Sequence, residues 1–305
     1  RAPLVRRVLD PYVFGYLALY GVTLWLLQRS GEEVDEMVFA LIIFGGIFPA
    51  LTWLVTRRAQ PLPVAVRRPG LETAIIVGYM LPVFAYLIWG VGALKALVTT
   101  EPAQDVTMLV AKLVVWVAIP AALLWLASGY SFRDLVPLSG RNWAATLVLV
   151  VAIMALQCVA GRGLKDMKAS GYTAGTLALW APLAYAWLMV EVGVVEEFFF
   201  RAVLQTRIAR LLRSDAGGVV IASVLFGLVH APGFYLRTAA SQETLGTHPS
   251  ILMAVGYSLV VTSAAGIFLG VLWSRTRNFA AVVLVHAAGD LVPGLVPFIH
   301  SFSGR

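Results

Sequence analysis

Nine apolar runs, each close to the length needed to cross a hydrocarbon core, leave this chain little choice of fold. A spanning helix takes about 20 mostly apolar residues. Runs of that kind cover roughly 12–28, 36–56, 72–94, 106–127, 142–160, 174–200, 217–231, 251–273 and 278–299. The connections between them are short and leave no room for a soluble domain. The first and seventh runs are short and the ninth carries Pro293 and Pro297, so the expectation is an all-α, polytopic transmembrane helix bundle of eight or nine spans. Hydrophobic residues make up 60% of the 305 and charged residues 13%, a membrane composition rather than a soluble one.

The net charge of +7 does not signal nucleic acid, because the arginines cluster at the ends of apolar runs, where they anchor helices to a lipid surface. Arg1, Arg6 and Arg7 at the start, and Arg57, Arg58, Arg67 and Arg68 in the second connection, face an acidic first connection with Glu32, Glu33, Asp35 and Glu36. The positive-inside bias then places the N-terminus in the cytoplasm, although Arg162, Lys165 and Lys168 in the fifth connection run against it. The first run has no small-residue cleavage site after it, so no cleavable signal peptide is expected. Cys158 is the single cysteine and excludes an internal disulfide. The stretch 57–70 reads as a connector rich in proline and arginine, and Gly266 and Gly270 read as a helix-packing pair.

Against this apolar background, several polar groups stand at helical spacing inside the runs. They are Glu196, Glu197 and Arg201 in VVEEFFFRAVLQ, His230 after Phe226 in SVLFGLVH, Arg275 and Asn278 in SRTRNF, and His286 with Asp290 in VVLVHAAGD. A charge in hydrocarbon costs several kcal/mol unless paired or hydrated, so each is a functional candidate and the set should converge. Depth supports convergence if the sixth run continues as helix past Arg201 to a turn at Ser214–Gly218. Glu196 then lies about 27 Å and His230 about 20 Å from that turn, with His286 and Asp290 about 12 and 18 Å from Asn278. On that reading Arg207, Arg210 and Arg213 mark the membrane interface.

Glu197 and Arg201 are i and i+4, which suits a structural ion pair. Glu196 lies about 100° further round, turned toward another neighbour, and becomes the reactive carboxylate. A Glu and a His at one depth can deprotonate a water. A second His with a polar neighbour can donate to a developing oxyanion. That set suits amide hydrolysis. Two His and a carboxylate also make a catalytic zinc set, but the spacing lacks H-E-x-x-H; no cofactor is expected, with zinc the less favoured alternative. Glu191 is left outside the site, Phe198–Phe200 read as lipid-facing or packing surface, and His248 and His300 are expected at solvent or the interface.

These motifs resemble the CPBP family (CaaX proteases and bacteriocin-processing enzymes), intramembrane proteases related to the Ras-converting CaaX endopeptidase. The family hallmarks are E-E-x-x-x-R, F-x-x-x-H and H-x-x-x-N, in that order on separate membrane helices. The chain has EEFFFR at 196–201, FGLVH at 226–230 and HAAGD at 286–290, and the resemblance covers about 174–292. It implies a multi-pass intramembrane endopeptidase in which Glu196 and His230 activate water while His286 and Asp290 hold the oxyanion. It also implies a protease core over 171–305, leaving 1–170 as membrane helices of unassigned role. Asp290 departs from the family amide: an ionised Asp cannot donate to an oxyanion, a protonated one can, and an Asp can instead orient His286.

The alternative from another class is a catalytically inactive scaffold or immunity-type protein that binds a partner helix, which Asp290 keeps open. A proton-relay transporter is disfavoured, since no inverted repeat is visible. The partners expected are a membrane-associated protein or peptide substrate, the lipid bilayer and a membrane-complex partner, but no nucleic acid. Arginine outnumbers lysine 19 to 4, which points to a GC-rich bacterial genome and an inner-membrane location, and away from a prenylated substrate.

Overall fold

Side-chain caps and prolines start the helices, and residues with positive φ stop several of them. The computed structural model describes residues 10–236 and 249–303. His248, Arg1, Arg6 and Arg7 lie outside the described residues. Asp10 accepts from the Tyr12 amide and Pro11 follows it, opening α1 at Pro11–Arg29. There the proline's missing N–H costs nothing, because first-turn amides have no helical partner. Helices α2 (Asp35–Val55), α3 (Pro69–Ala96) and α4 (Glu101–Ser128) follow, and α4 ends at Gly129 with φ 68°. The short α5 (Phe132–Leu135) precedes α6 (Trp143–Ala160) and α7 (Gly163–Ala169).

Thr173 caps α8, which runs without a break from Ala174 to Leu212. The helix therefore continues past Arg201, and it stops where Arg213 takes φ 51° and Ser214 caps α9 (Asp215–Leu236). Ser250 caps α10 (Ile251–Thr276), and α11 covers Phe279–Ser303. Pro293 and Pro297 do not break α11, in keeping with the tolerance of membrane helices for proline where neighbours satisfy the freed carbonyls. In all, the described residues hold eight helices long and apolar enough to span, 83% of them are helical, and no strand is present among them. The protein is an all-α polytopic helix bundle. Leu81, Trp89, Leu126 and Val159 are more than two-thirds exposed, an apolar surface suited to lipid rather than water.

The chain divides into two compact units. One draws on Arg1–Leu54, Ala65–Gly90 and Val203–Ser274. Its core gathers Tyr16, Tyr20, Leu27, Met37, Val220, Met253 and Val260. The Tyr16 hydroxyl shares a 3.0 Å hydrogen bond with Ser263, and the Trp273 indole donates to Thr206 at 3.0 Å. A Cβ on Gly270 would meet Gln205 Oε1 at 3.0 Å, so this glycine does serve close packing. Arg207 corrects an expectation in the same unit. It does not mark an interface: it is fully buried and stands 3.1 Å from Glu72, which also accepts from the Arg68 amide.

The other unit draws on Val55–Val64, Val91–Ala202 and Arg275–Arg305. Its core lies between α8 and α11, where Ala184 and Leu188 pack with Ala287, Leu291, Leu295 and Ile299. Gly193 permits that packing beside the polar groups, since a Cβ there would sit 2.9 Å from the Val283 carbonyl oxygen. The Tyr185 hydroxyl donates to the Leu284 carbonyl at 2.9 Å across the same pair of helices. Helix α4 packs on α8 through Trp116, whose ring centroid lies 5.0 Å from Phe199 and 5.5 Å from Phe200. Phe198, Phe199 and Phe200 are buried, so the aromatic run packs inward and does not face lipid.

Candidate active site

Five of the polar groups singled out in the sequence meet within this second unit. Arg201 Nε stands 3.2 Å from Glu197, one turn away on α8, with both side chains fully buried. The other Glu197 oxygen lies 2.7 Å from Nδ1 of His286 on α11. On the far side of the ring, His286 Nε2 faces Glu196 at 3.9 Å and Asp290 at 3.6 Å. Glu197 thus joins Arg201 to His286, a link beyond the simple neutralising pair expected of it. Glu196 and Glu197 reach the same imidazole from opposite nitrogens.

Local helix geometry aims these side chains. Two π-helical stretches, Met189–Val194 and Phe198–Gln205, flank the Val195–Glu197 turn. A π turn repeats over i to i+5. That widening brings Glu191 toward the side of the helix occupied by Glu196, five residues on. Glu191 pairs with Lys112 of α4. Neither was expected in the site. The signal for Lys112 was present, however, because an ionisable side chain inside the 106–127 apolar run meets the same test that selected Glu196.

Exposure rises across the cluster from none at Arg201 and Glu197, through 12% at His286 and 17% at Glu196, to 42% at Asp290. A fully buried ion pair therefore anchors one side of the imidazole, while the other side faces the more exposed acids. An ionised carboxylate can only accept, so Glu197 accepts a hydrogen bond from Nδ1–H of His286 and sets the ring's orientation. Among the described residues, no three His, Cys, Asp or Glu side chains are grouped to hold a metal ion.

The other expected residues have the following partners. His230 belongs to the first unit, where its Nδ1 lies 2.7 Å from the Phe226 carbonyl. A carbonyl only accepts, so Nδ1 carries the proton and Nε2 is the basic nitrogen. Arg275 and Asn278 do not join the cluster; they fasten connections. Arg275 donates to the Thr56 carbonyl at 2.6 Å, and Asn278 Nδ2 donates to the Ser139 and Arg141 carbonyls at 2.7 and 3.2 Å. His300 meets Glu101 at 3.3 Å at an exposed position.

The residues that form this cluster fall within a segment that matches a family model of CPBP-type intramembrane proteases. More narrowly, residues 178–292 match the family model described as "Type II CAAX prenyl endopeptidase Rce1-like", and this part of the chain is a domain of that family. The match takes in Glu196, Glu197, Arg201, His230, His286 and Asp290. Neither a curated protein nor a solved structure matches the chain.

Proposed function

We propose that the protein cleaves a peptide bond in a membrane-associated protein or peptide by activating water with Glu196, without a resident cofactor. The observation that carries this reading is the meeting of Glu196, His286 and Asp290 within 4 Å at the open edge of a cluster whose other edge is sealed by Glu197 and Arg201. Glu196 takes a proton from water, and the resulting hydroxide adds to the substrate carbonyl carbon. By the resemblance to the family motif, we take His230 as the second group on that water. As the carbonyl oxygen gains charge, His286 presents Nε2–H to it, with Nδ1–H held by Glu197. Asp290 steadies that ring, or donates to the oxyanion when protonated. Collapse of the tetrahedral intermediate breaks the C–N bond, and the proton on Glu196 passes to the leaving amine.

The substrate class we favour is a bacterial membrane-associated peptide or protein without a prenyl group, as the excess of arginine over lysine suggests. The experiment compares protein termini in membranes of cells carrying wild type, Glu196→Gln and His230→Ala at equal folded levels. New termini seen only with wild type, and persisting in a chelator such as EDTA, support this reading. Identical termini in all three overturn it in favour of an inactive scaffold. Loss of cleavage in chelator would point to zinc instead.

A further inference from the structure

Lys112 lies outside the matched segment 178–292, yet its ammonium pairs with Glu191 on the same helix as Glu196. Both side chains are only about a quarter exposed, at 28% and 22%. Asp290 meets His286 on its own helix, His286 meets Glu196 on α8, and Glu191, five residues before Glu196 on that helix, pairs with Lys112 of α4. Helix α6, packed along α11, brings no charged residue to that face. The open side of the cluster therefore holds three carboxylates, Glu191, Glu196 and Asp290. Arg201 is committed to Glu197, and the cations seen to pair with these three carboxylates are His286 and Lys112.

The placement of Lys112 is held at other points along α4. Trp116, one turn on, packs edge-on against Phe199 and tilted against Phe200, and Asp105 accepts from Ser301 of α11. Glu101 meets His300 at 3.3 Å. Contacts above and below thus set the register of α4 on both helices that carry the cluster, and a shift of one residue would turn Lys112 about 100° away.

We propose that Lys112 is a positioning residue for the site. Through Glu191 it supplies the cation that lets Asp290 and Glu196 share one opening, and so keeps Asp290 working with His286. Helix α4, from the part of the chain without a family match, is thereby a component of the catalytic apparatus. This rests on the reading of Glu196, His286 and Asp290 as the hydrolytic site.

The test uses the full chain in lipid nanodiscs, with Lys112→Met and the double variant Lys112→Met/Glu191→Gln. The probe is a membrane peptide that wild type cleaves and Glu196→Gln does not. Lys112→Met should lower kcat at least tenfold with KM within twofold, because it strands Glu191 beside Asp290. The double variant, which removes both charges, should recover kcat to within about threefold of wild type. A purely structural strap predicts the opposite, a double variant no better than the single one, and that result overturns the proposal. The ring ¹⁵N resonances of His286, assigned by their loss in His286→Gln, give a readout that needs no cleavage. They should move in Lys112→Met and return in the double variant, and an unmoved ring in the single variant also overturns the proposal. If no peptide separates wild type from Glu196→Gln, the proteolytic reading fails, while the ring resonances still decide the role of Lys112.

Discussion

A carboxylate oxygen of Glu197 lies 2.7 Å from Nδ1 of His286, although 89 residues separate the two in the chain. The other oxygen faces Arg201. One fully buried carboxylate therefore fixes both a guanidinium and an imidazole, and the imidazole turns its remaining nitrogen to the more exposed acids. Glu197 holds the ring, which leaves Glu196 as the proposed reactive carboxylate.

Glu196→Gln should abolish cleavage while leaving the fold intact. A positioned general base contributes about 10²–10⁴-fold, so kcat measured on purified protein should fall by about that factor, with an unchanged melting temperature. A variant cleaving at the wild-type rate would remove Glu196 from the mechanism.

Arg201→Met should be a folding defect before it is a catalytic one. Removing one partner of a buried pair leaves an uncompensated charge and costs about 3–5 kcal/mol. The variant should show a clearly lower melting temperature in detergent. The companion change Glu197→Gln keeps an acceptor for Nδ1 but strands the Arg201 guanidinium, so it should be destabilising to a similar degree.

Asp290→Asn and Asp290→Ala should diverge. The amide donates at any pH, so the Asn variant should retain cleavage and lose the dependence on protonation of Asp290. The Ala variant removes the group, and the loss of an oxyanion-stabilising donor costs about 10²–10³ in kcat. Rate profiles from pH 5 to 9 for the three proteins would check this, and equal loss in both variants would contradict the assigned role.

Gly193→Ala should disturb the site without touching an ionisable group. The added Cβ would sit 2.9 Å from the Val283 carbonyl oxygen, forcing α8 from α11 one turn before Glu197. Overpacking of this kind costs about 1–3 kcal/mol, and cleavage should fall with it. Gly78→Ala is the control: nothing lies within 4 Å of its Cβ, and a helix-interior alanine should gain about 0.5–1 kcal/mol.

Burial of the Arg207–Glu72 pair predicts that Arg207→Met is as damaging as Arg201→Met, about 3–5 kcal/mol. An interfacial arginine would tolerate the change, so the two melting temperatures separate the alternatives.

Much of this was legible because membrane helices declare themselves by length and because i, i+4 pairs are a local matter. The unbroken α8 could be inferred from the depths of Glu196 and His230, and the Glu197–Arg201 pair from spacing alone. The contact of Glu197 with His286 could not, since spacing within one helix says nothing about which neighbour its buried side will meet. Arg207 was misplaced for a related reason: an arginine near the end of an apolar run looks the same whether lipid headgroups or a partner such as Glu72 receive it. Lys112 met the rule for polar groups in apolar runs, but it stands alone in its run, without the paired spacing that marked the other residues.

The i, i+4 arrangement of Glu197 and Arg201 also bears on how the chain is made. His286 is synthesised 89 residues after Glu197, a delay of roughly five to twenty seconds at ordinary elongation rates. Throughout that interval α8 must pass from the translocation machinery toward lipid with its partner imidazole not yet in existence. A guanidinium one turn away travels with the carboxylate inside the same helix, so the dearest charge of the site is already cancelled at the moment of insertion. The pair is thus a built-in escort during biogenesis, and variants lacking Arg201 should accumulate as uninserted or degraded chains even where the finished site would tolerate them.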